Sequence, residues 1–284
     1  YWNRSMFDAA GIATRPQFWD EFTMKGGLIS KLTAKDQNGN IRKSAIAMGD
    51  FTNTSNAREL LGTLLLQSGN PVTKQGNDGL KSTLKTSADV SPATALEFFT
   101  QFVNPNDSDY SWNRGFSDSK SAFLSGMLAT YFGFASEIKD LRAKNPNLNF
   151  DAAAIPQARS GGVKATYGRM FGFSLVRASS KVNDAYQVIS VLTSPVYMPA
   201  LSQTLYLPSV RRDVIAQGST DPYMTIFNQQ ALISKTWLDA GADVSSQMMG
   251  NMVDWITSGQ KQMQQAIQDG GNQYDVVLQQ AAAQ

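Results

Sequence analysis

Apolar positions along the chain alternate between helix-like and strand-like spacing, which predicts a mixed α/β fold. Residues 6–10 read as a short helix stopped by Gly11, and Pro16 restarts the chain into Phe18-Trp19-Asp20-Glu21-Phe22. A strand is expected over 44–48, followed by Gly49, a polar loop over 50–56 and a helix over 57–67. Residues 68–89, rich in Gly, Asn, Lys and Thr, read as a surface excursion. In 92–103, Ala95, Leu96, Phe99 and Phe102 share one helical face. A further helix over 117–125 ends at Gly126.

The pattern continues with a strand over 128–132, a short basic helix over 137–144 and a strand over 149–155 ending at Pro156. Residues 166–176 carry the strongest β signal in the chain. Beyond Lys181 every segment reads as helical: 184–192, 196–204, 222–232, 245–257, 261–268 and 275–283. No internal repeat of solenoid length appears, and no apolar run is long enough to cross a bilayer as a helix.

Composition sharpens this by exclusion. The 284 residues contain no cysteine and no histidine. Disulfides, thiolate nucleophiles, Ser-His-Asp triads and His- or Cys-ligated metals are therefore all ruled out. Apolar residues make up 42%, enough for a real core, while charged residues are only 17% and mean hydropathy is −0.27. Amides and hydroxyls fill the gap, giving a surface suited to hydrogen-bonding partners. The net charge of +2 is uneven, since 214–284 holds two lysines against six aspartates. No dense Lys/Arg run exists, so nucleic acid is not an expected partner.

Motif chemistry is sparse. There is no Gly-Lys dipeptide for a phosphate loop, no GxGxxG and no GxSxG. Ser117 with Lys120 and Ser258 with Lys261 match SxxK at the level of chance. Asp107, Asp109 and Asn113 lack the Gly and closing Glu of a calcium loop. A glycosidase needs two carboxylates about 5 to 9 Å apart, one of them in an apolar pocket. Asp50 and Glu137 are the pair to test, although Asp50 also suits a cap and Glu137 the first turn of a helix.

Aromatic residues in polar settings carry a stronger signal: Phe51, Tyr110, Trp112, Tyr131, Phe132, Phe134, Tyr167, Phe171 and Trp237. Each lies among amide, hydroxyl or glycine groups. Ring faces beside planar hydrogen-bonding groups are what an uncharged sugar requires.

The order of segments resembles the family 1 bacterial extracellular solute-binding proteins, the maltose-binding-like receptors of ABC importers. Tyr1-Trp2-Asn3-Arg4-Ser5-Met6-Phe7, Ala10-Gly11-Ile12 and Pro16-Gln17-Phe18-Trp19-Asp20-Glu21-Phe22 carry the first part of the likeness. Ala122-Phe123-Leu124-Ser125-Gly126 running through Gly133, Asn145-Pro146 through Pro156, and Tyr167-Gly168-Arg169-Met170-Phe171-Gly172 continue it. The helix ending at Ser194-Pro195 completes it.

The resemblance implies the two-lobe, periplasmic-binding-protein type II (Venus flytrap) α/β fold, with ligand held in the cleft and closure by hinge bending. It further implies that the first lobe is incomplete here, together with a missing signal peptide and lipid-attachment cysteine. On that basis 1–167 forms the second lobe, 168–218 contributes to the first, and 219–284 returns to the second. The implied role is a monomeric, cofactor-free extracytoplasmic receptor that hands a mono- or oligosaccharide to its permease; a carboxylate glycosidase is the alternative, and a helical scaffold without a cleft a third. Where sugar-binding members often carry Trp after the glycine equivalent to Gly133, this chain has Phe134 and Ala135. By position the implied ligand contacts are Asp50, Phe51, Asn53, Asn56, Trp112, Phe134, Arg169, Met170 and Trp237.

Overall fold

The structure, a computed structural model, describes residues 1–86 and 90–282. Its strands are β1 (Trp2–Asn3), β2 (Ala34–Lys35), β3 (Ile41–Ile46), β4 (Thr73–Gly76), β5 (Gly79–Ser82), β6 (Leu128–Thr130), β7 (Phe150–Asp151), β8 (Thr166–Tyr167) and β9 (Ser234–Lys235). The first seven helices are α1 (Arg4–Ala9), α2 (Asp20–Thr23), α3 (Leu28–Leu32), α4 (Ala57–Gln67), α5 (Ala93–Thr100), α6 (Ser119–Leu124) and α7 (Ile138–Lys144). Six more follow: α8 (Val182–Leu192), α9 (Met198–Leu205), α10 (Arg212–Ala216), α11 (Pro222–Leu232), α12 (Ala242–Thr257) and α13 (Met263–Ala282).

Five strands form one mixed sheet in the order β2-β3-β6-β1-β7. β3 and β6 are parallel, with Ser44 opposite Leu128 and Ile46 opposite Thr130. β1 runs antiparallel to both β6 and β7. Consecutive side chains on a strand point to opposite faces. Leu128 accordingly packs with Trp112, Phe123, Tyr131 and Leu141, while its neighbour Ala129 joins the main core of Phe7, Phe22, Leu61, Leu65 and Phe99.

α4 is the axis of that main core, since every residue of it except Glu59 is buried. Its last residue, Gln67, uses its whole carboxamide. Oε1 accepts from the Trp19 indole at 2.6 Å, and Nε2 donates to the Pro156 and Ala165 carbonyls at 3.0 and 2.8 Å. A buried amide with all its groups paired fixes where the chain enters β8. β8 then pairs in parallel with β9, Thr166 opposite Ser234 and Tyr167 opposite Lys235. The strands lie so close at Gly168 that a Cβ there would sit 2.7 Å from that of Ser234.

Several segments differ from their sequence reading: the stretch beyond Lys181, expected to be wholly helical, contains β9, and the strand expected over 149–155 shrinks to the two residues of β7. Within 68–89, as far as it is described, the surface excursion contains the β4–β5 hairpin, and Val72 and Leu84 beside it are fully buried. The strong β signal of 166–176 yields only the two residues of β8, because just that pair finds a partner strand; 168–176 runs on without regular structure. The two terminal helices expected at 261–268 and 275–283 are one continuous helix, α13, with residue 283 outside the described range. The Gly270-Gly271 pair, in the gap between the two expected helices, is a packing device. A Cβ on Gly270 would lie 2.4 Å from Met252 Cγ, and one on Gly271 only 1.7 Å from the Leu84 carbonyl oxygen.

Around the first turn of α4, Arg58 ties the later segments to the core. Its Nε donates to Ser245 Oγ at 2.6 Å, and Nη1 to Glu59 Oε1 at 3.0 Å and Tyr167 OH at 3.1 Å. Nη2 pairs with Asp239. The guanidinium also lies 4.8 Å from the Trp237 ring centroid and 5.6 Å from that of Tyr167. Tyr274 of α13 donates to Asp239 Oδ1 at 2.7 Å. β8, the segment after β9, α12 and α13 thus meet at one cation.

Two outcomes follow from this packing. Gly271→Ala gains about 1 kcal/mol of helix propensity, but its methyl displaces the Leu84 backbone, an overpacking that costs roughly 2 kcal/mol or more. Thermal denaturation shows a lowered midpoint for Gly271→Ala and an unchanged one for Gly172→Ala, where nothing lies within 4 Å. The second outcome concerns acid. Burial pushes the Asp239 carboxyl up, but hydrogen bonds from Ser245, Tyr274, the Gly241 N–H and Arg58 hold it below its ordinary 3.8. A depressed carboxyl adds stability above its unfolded pKa and loses it as pH falls through the folded value. The melting temperature therefore drops as pH is lowered below about 4, and Asp239→Asn flattens that drop; equal slopes would remove Asp239 from the acid response.

Candidate functional site

The loop between β3 and α4 is built to hold a fixed shape. Gly49 adopts φ 95°, with Val103 Cγ1 only 2.8 Å from where a Cβ would be. Asp50 next to it is buried. It accepts from the Thr52 N–H at 2.8 Å, the Thr52 hydroxyl at 2.5 Å and Arg114 Nε at 2.5 Å. Arg114 reaches on to Asp254 of α12 at 2.6 Å. Asn56, at the end of the loop, is left-handed with φ 58°, a conformation asparagine tolerates better than most residues. Its Nδ2 is surrounded by Tyr131 OH, the Phe132 carbonyl and Glu137 Oε1 at 3.0–3.2 Å.

This loop and the first turns of α4 and α12 enclose an open cavity of about 270 Å³, lined by Phe51, Thr54, Asn56, Ala57, Arg58, Glu59, Arg169, Ala242, Asp243 and Ser246. A neighbouring depression of about 340 Å³ shares Phe51, Asp243 and Ser246 and extends along α12 past Gly250 and Asn251 to Asp254. Phe51 stands between the two. One side of its ring packs on Gly250, where a Cβ would approach Phe51 Cδ1 to 3.2 Å. Opposite it, Arg169 donates to Glu59 Oε1 at 3.0 Å and lies 5.0 Å above the Phe134 ring.

Of the residues expected from sequence, Phe51, Asn56 and Arg169 come together on this cavity, with Phe134 against Arg169. Asp50 stands behind the loop as its anchor. Asn53 is used internally: its Oδ1 accepts from the Trp112 indole at 2.8 Å, and its Nδ2 donates to the Asn113 and Phe116 carbonyls. Trp112 is fully buried, stacked on Phe116 at 4.5 Å, and offers no free face. Trp237 is buried between Tyr167 and Arg58, and a Cβ on Gly62 would come within 2.7 Å of its ring. Met170 is 77% exposed and does not line the cavity.

Thr54, Arg58, Glu59, Asp243 and Ser246 escape sequence reading because each looks like an ordinary polar residue of a loop or helix. The signal for Asp243 and Ser246 was the helix start after Gly241, whose φ of 152° turns the chain into α12.

The two carboxylates considered for glycoside hydrolysis serve as structural anions. Burial pushes Glu137 up, but Tyr131 OH at 2.6 Å, the Phe134 N–H at 2.8 Å and Lys120 at 3.0 Å bring it below its ordinary value. Asp50 behaves likewise: burial raises it, and the bonds from Thr52 and Arg114 more than compensate. Both stay ionised at neutral pH, so neither supplies the protonated carboxyl that glycosidic cleavage requires. Among the described residues no cluster of three or more carboxylates suits a metal ion, and no helix is long and apolar enough to cross a membrane.

No curated protein matches the chain in sequence. Among solved structures, the sugar-binding protein MalE from Xanthomonas citri superposes with a TM-score of 0.73 at 15% identity, covering 99% of this chain and 68% of that one. An ABC transporter solute-binding protein from Thermotoga lettingae, bound to α-D-tagatose, gives 0.65 at 17% identity, covering 98% and 69%. UgpB from Mycobacterium tuberculosis, in complex with glycerophosphocholine, gives 0.65 at 16%, covering 99% and 68%. The shared fold is the two-lobe architecture of periplasmic binding proteins. The model of the bacterial extracellular solute-binding proteins matches residues 1–226, and the chain belongs to that family of extracytoplasmic solute receptors, which are not enzymes.

Proposed function

We propose that this protein is the substrate receptor of an ABC importer, taking a mono- or oligosaccharide in the cavity between the first turns of α4 and α12 and delivering it to the permease. The observation that carries the reading is the cavity itself. An aromatic face, Phe51, stands among fixed amide, hydroxyl, carboxylate and guanidinium groups, the combination that packs a sugar ring and pairs its hydroxyls. Sugars bound by structural relatives support the same ligand class.

In this reading 1–167 and 219–284 make the second lobe and 168–218 belongs to the first. Met224 and Phe227 of α11 support the return, since they pack on Ile138 and Ala152. Exposed apolar side chains support the separate placement of 168–218. Met170, Phe171 and Val196 are 77–81% exposed, and Tyr186, Val188 and Val191 line the outside of α8. An exposed apolar surface of that kind marks a face that takes part in a further contact. The paired strands β8 and β9 are then the lobe crossing, and closure bends the chain just past Gly168. The receptor acts as a monomer on the outer side of the cytoplasmic membrane, free in the periplasm or held by a lipid anchor.

Titration calorimetry against a panel of mono- and oligosaccharides is expected to return heat with at least one member. Phe51→Ala weakens that binding by about tenfold or more, the loss of one buried ring face, without lowering the melting temperature by more than a few degrees. No heat across the whole panel overturns the carbohydrate reading.

A further inference from the structure

The charges around the cavity are unequally committed, and this points to what the ligand must present. Arg58 is held by Asp239 and Glu59, and Arg169 by Glu59 and the Phe134 face. Asp254, in the neighbouring depression, is paired with Arg114. Asp243 stands apart. It is exposed, lines both cavities, and has no side-chain partner among the described residues. Three carboxylates, Glu59, Asp239 and Asp243, thus face two guanidiniums, and the surplus is negative.

Two helix N-termini converge here and by themselves favour an anion. Each already has its own carboxylate in the first turn, Glu59 in α4 and Asp243 in α12. The remaining unused side-chain groups can all accept hydrogen bonds. Asn56 has its Nδ2 engaged, while its Oδ1 accepts from no described residue. Thr54, 5% exposed in the cavity wall, has a buried hydroxyl without a partner. A buried polar group left unpaired is costly, and this one lies where a ligand hydroxyl could complete it.

We infer that Asp243 is the specificity-determining residue of this site, selecting a ligand that offers neutral hydroxyl donors and rejecting one that carries a carboxylate or phosphate at that position. The inference rests on the carbohydrate reading above and goes further by fixing the charge class. A hydroxyl donating to Asp243 makes a charge-assisted bond, while Ser246 one turn along α12 provides a second polar contact and Phe51 the ring face between them. An anionic group in the same place meets an uncompensated carboxylate, with both arginines already engaged.

The experiment compares neutral sugars with their uronic acids and sugar phosphates, on the unaltered protein and on Asp243→Asn, by titration calorimetry at neutral pH. The expected result is a neutral sugar that binds at least about tenfold more tightly than its acidic counterparts. Asp243→Asn is expected to weaken the neutral sugar by about tenfold and to narrow its advantage over the acidic forms, with the melting temperature little changed. Acidic sugars binding as tightly as neutral ones overturn the inference and leave the carbohydrate reading standing. Neutral binding within about twofold of the original in Asp243→Asn also overturns it. Binding of neither class overturns both.

Discussion

A buried guanidinium at the wrong end of a helix is the constraint on which the rest of the structure depends. Arg58 lies in the first turn of α4, where the helix dipole repels a cation and burial removes the water that would otherwise solvate it. Such a charge is tolerated only when carboxylates and acceptors reach it. Glu59 comes from the same turn; Asp239, Ser245 and Tyr167 come from more than a hundred residues away. Satisfying one cation therefore recruits the chain after β9, the start of α12 and the end of β8 to a single point. Asp239 passes the constraint on to Tyr274, and so to α13. The two helix starts that wall the cavity are held at a fixed separation by the same group.

The consequence is a site with one firm wall. Around α4 the core is continuous and the loop before it is pinned by Asp50 to Arg114 and by Asn56 to Glu137. A wall already in place loses little entropy when a ligand arrives, which makes each contact count for more. Past Gly168 the situation reverses: 168–176 has no regular structure and its apolar side chains face outward. Few buried contacts and a backbone without ladder bonds are the marks of a segment that moves at low cost.

Sequence reading succeeded where local signals and packing agree. The helices over 57–67 and 222–232 match to the residue, and the second starts with Pro222 behind the capping carboxylate of Asp221, which accepts from Tyr223 and Met224 N–H groups. It failed where tertiary contacts decide. The alternation of 166–176 is as strand-like as any in the chain, but a strand exists only with a partner, and Ser234-Lys235 supplies just two residues. The gap left between the helices expected at 261–268 and 275–283 closes in α13, where Met252 and Leu84 leave no room for a side chain on Gly270 or Gly271. The site divides similarly. Phe51 and Asn56 were singled out on the loop after the first strand and Arg169 on the crossing strand, and all three line the cavity. Trp112 and Trp237, by contrast, sit among polar neighbours in sequence and are enclosed in space, Trp112 on Phe116 and Trp237 between Tyr167 and Arg58. Asp243 was hidden because an acidic residue at a helix start needs no other explanation.

Glu59 links the firm wall to the movable one, and its two partners differ in strength. Its contact with Arg58 is nearly dry and belongs to a buried set in which Asp239, Ser245 and Tyr167 also hold the guanidinium in place. Its contact with Arg169 involves a half-exposed guanidinium, and pairs of that kind contribute about 0–1 kcal/mol. The same carboxylate oxygen therefore holds one arginine permanently and the other loosely. A rearrangement of the segment beyond Gly168 can exchange the Arg169 contact for another residue while Arg58, Asp239 and the cavity floor stay where they are. Arg169 also keeps its place over Phe134 at 5.0 Å, so the exchange begins from a positioned side chain instead of a free one. The weak pair thus leaves the segment past Gly168 without a costly tie to so firmly fixed a wall.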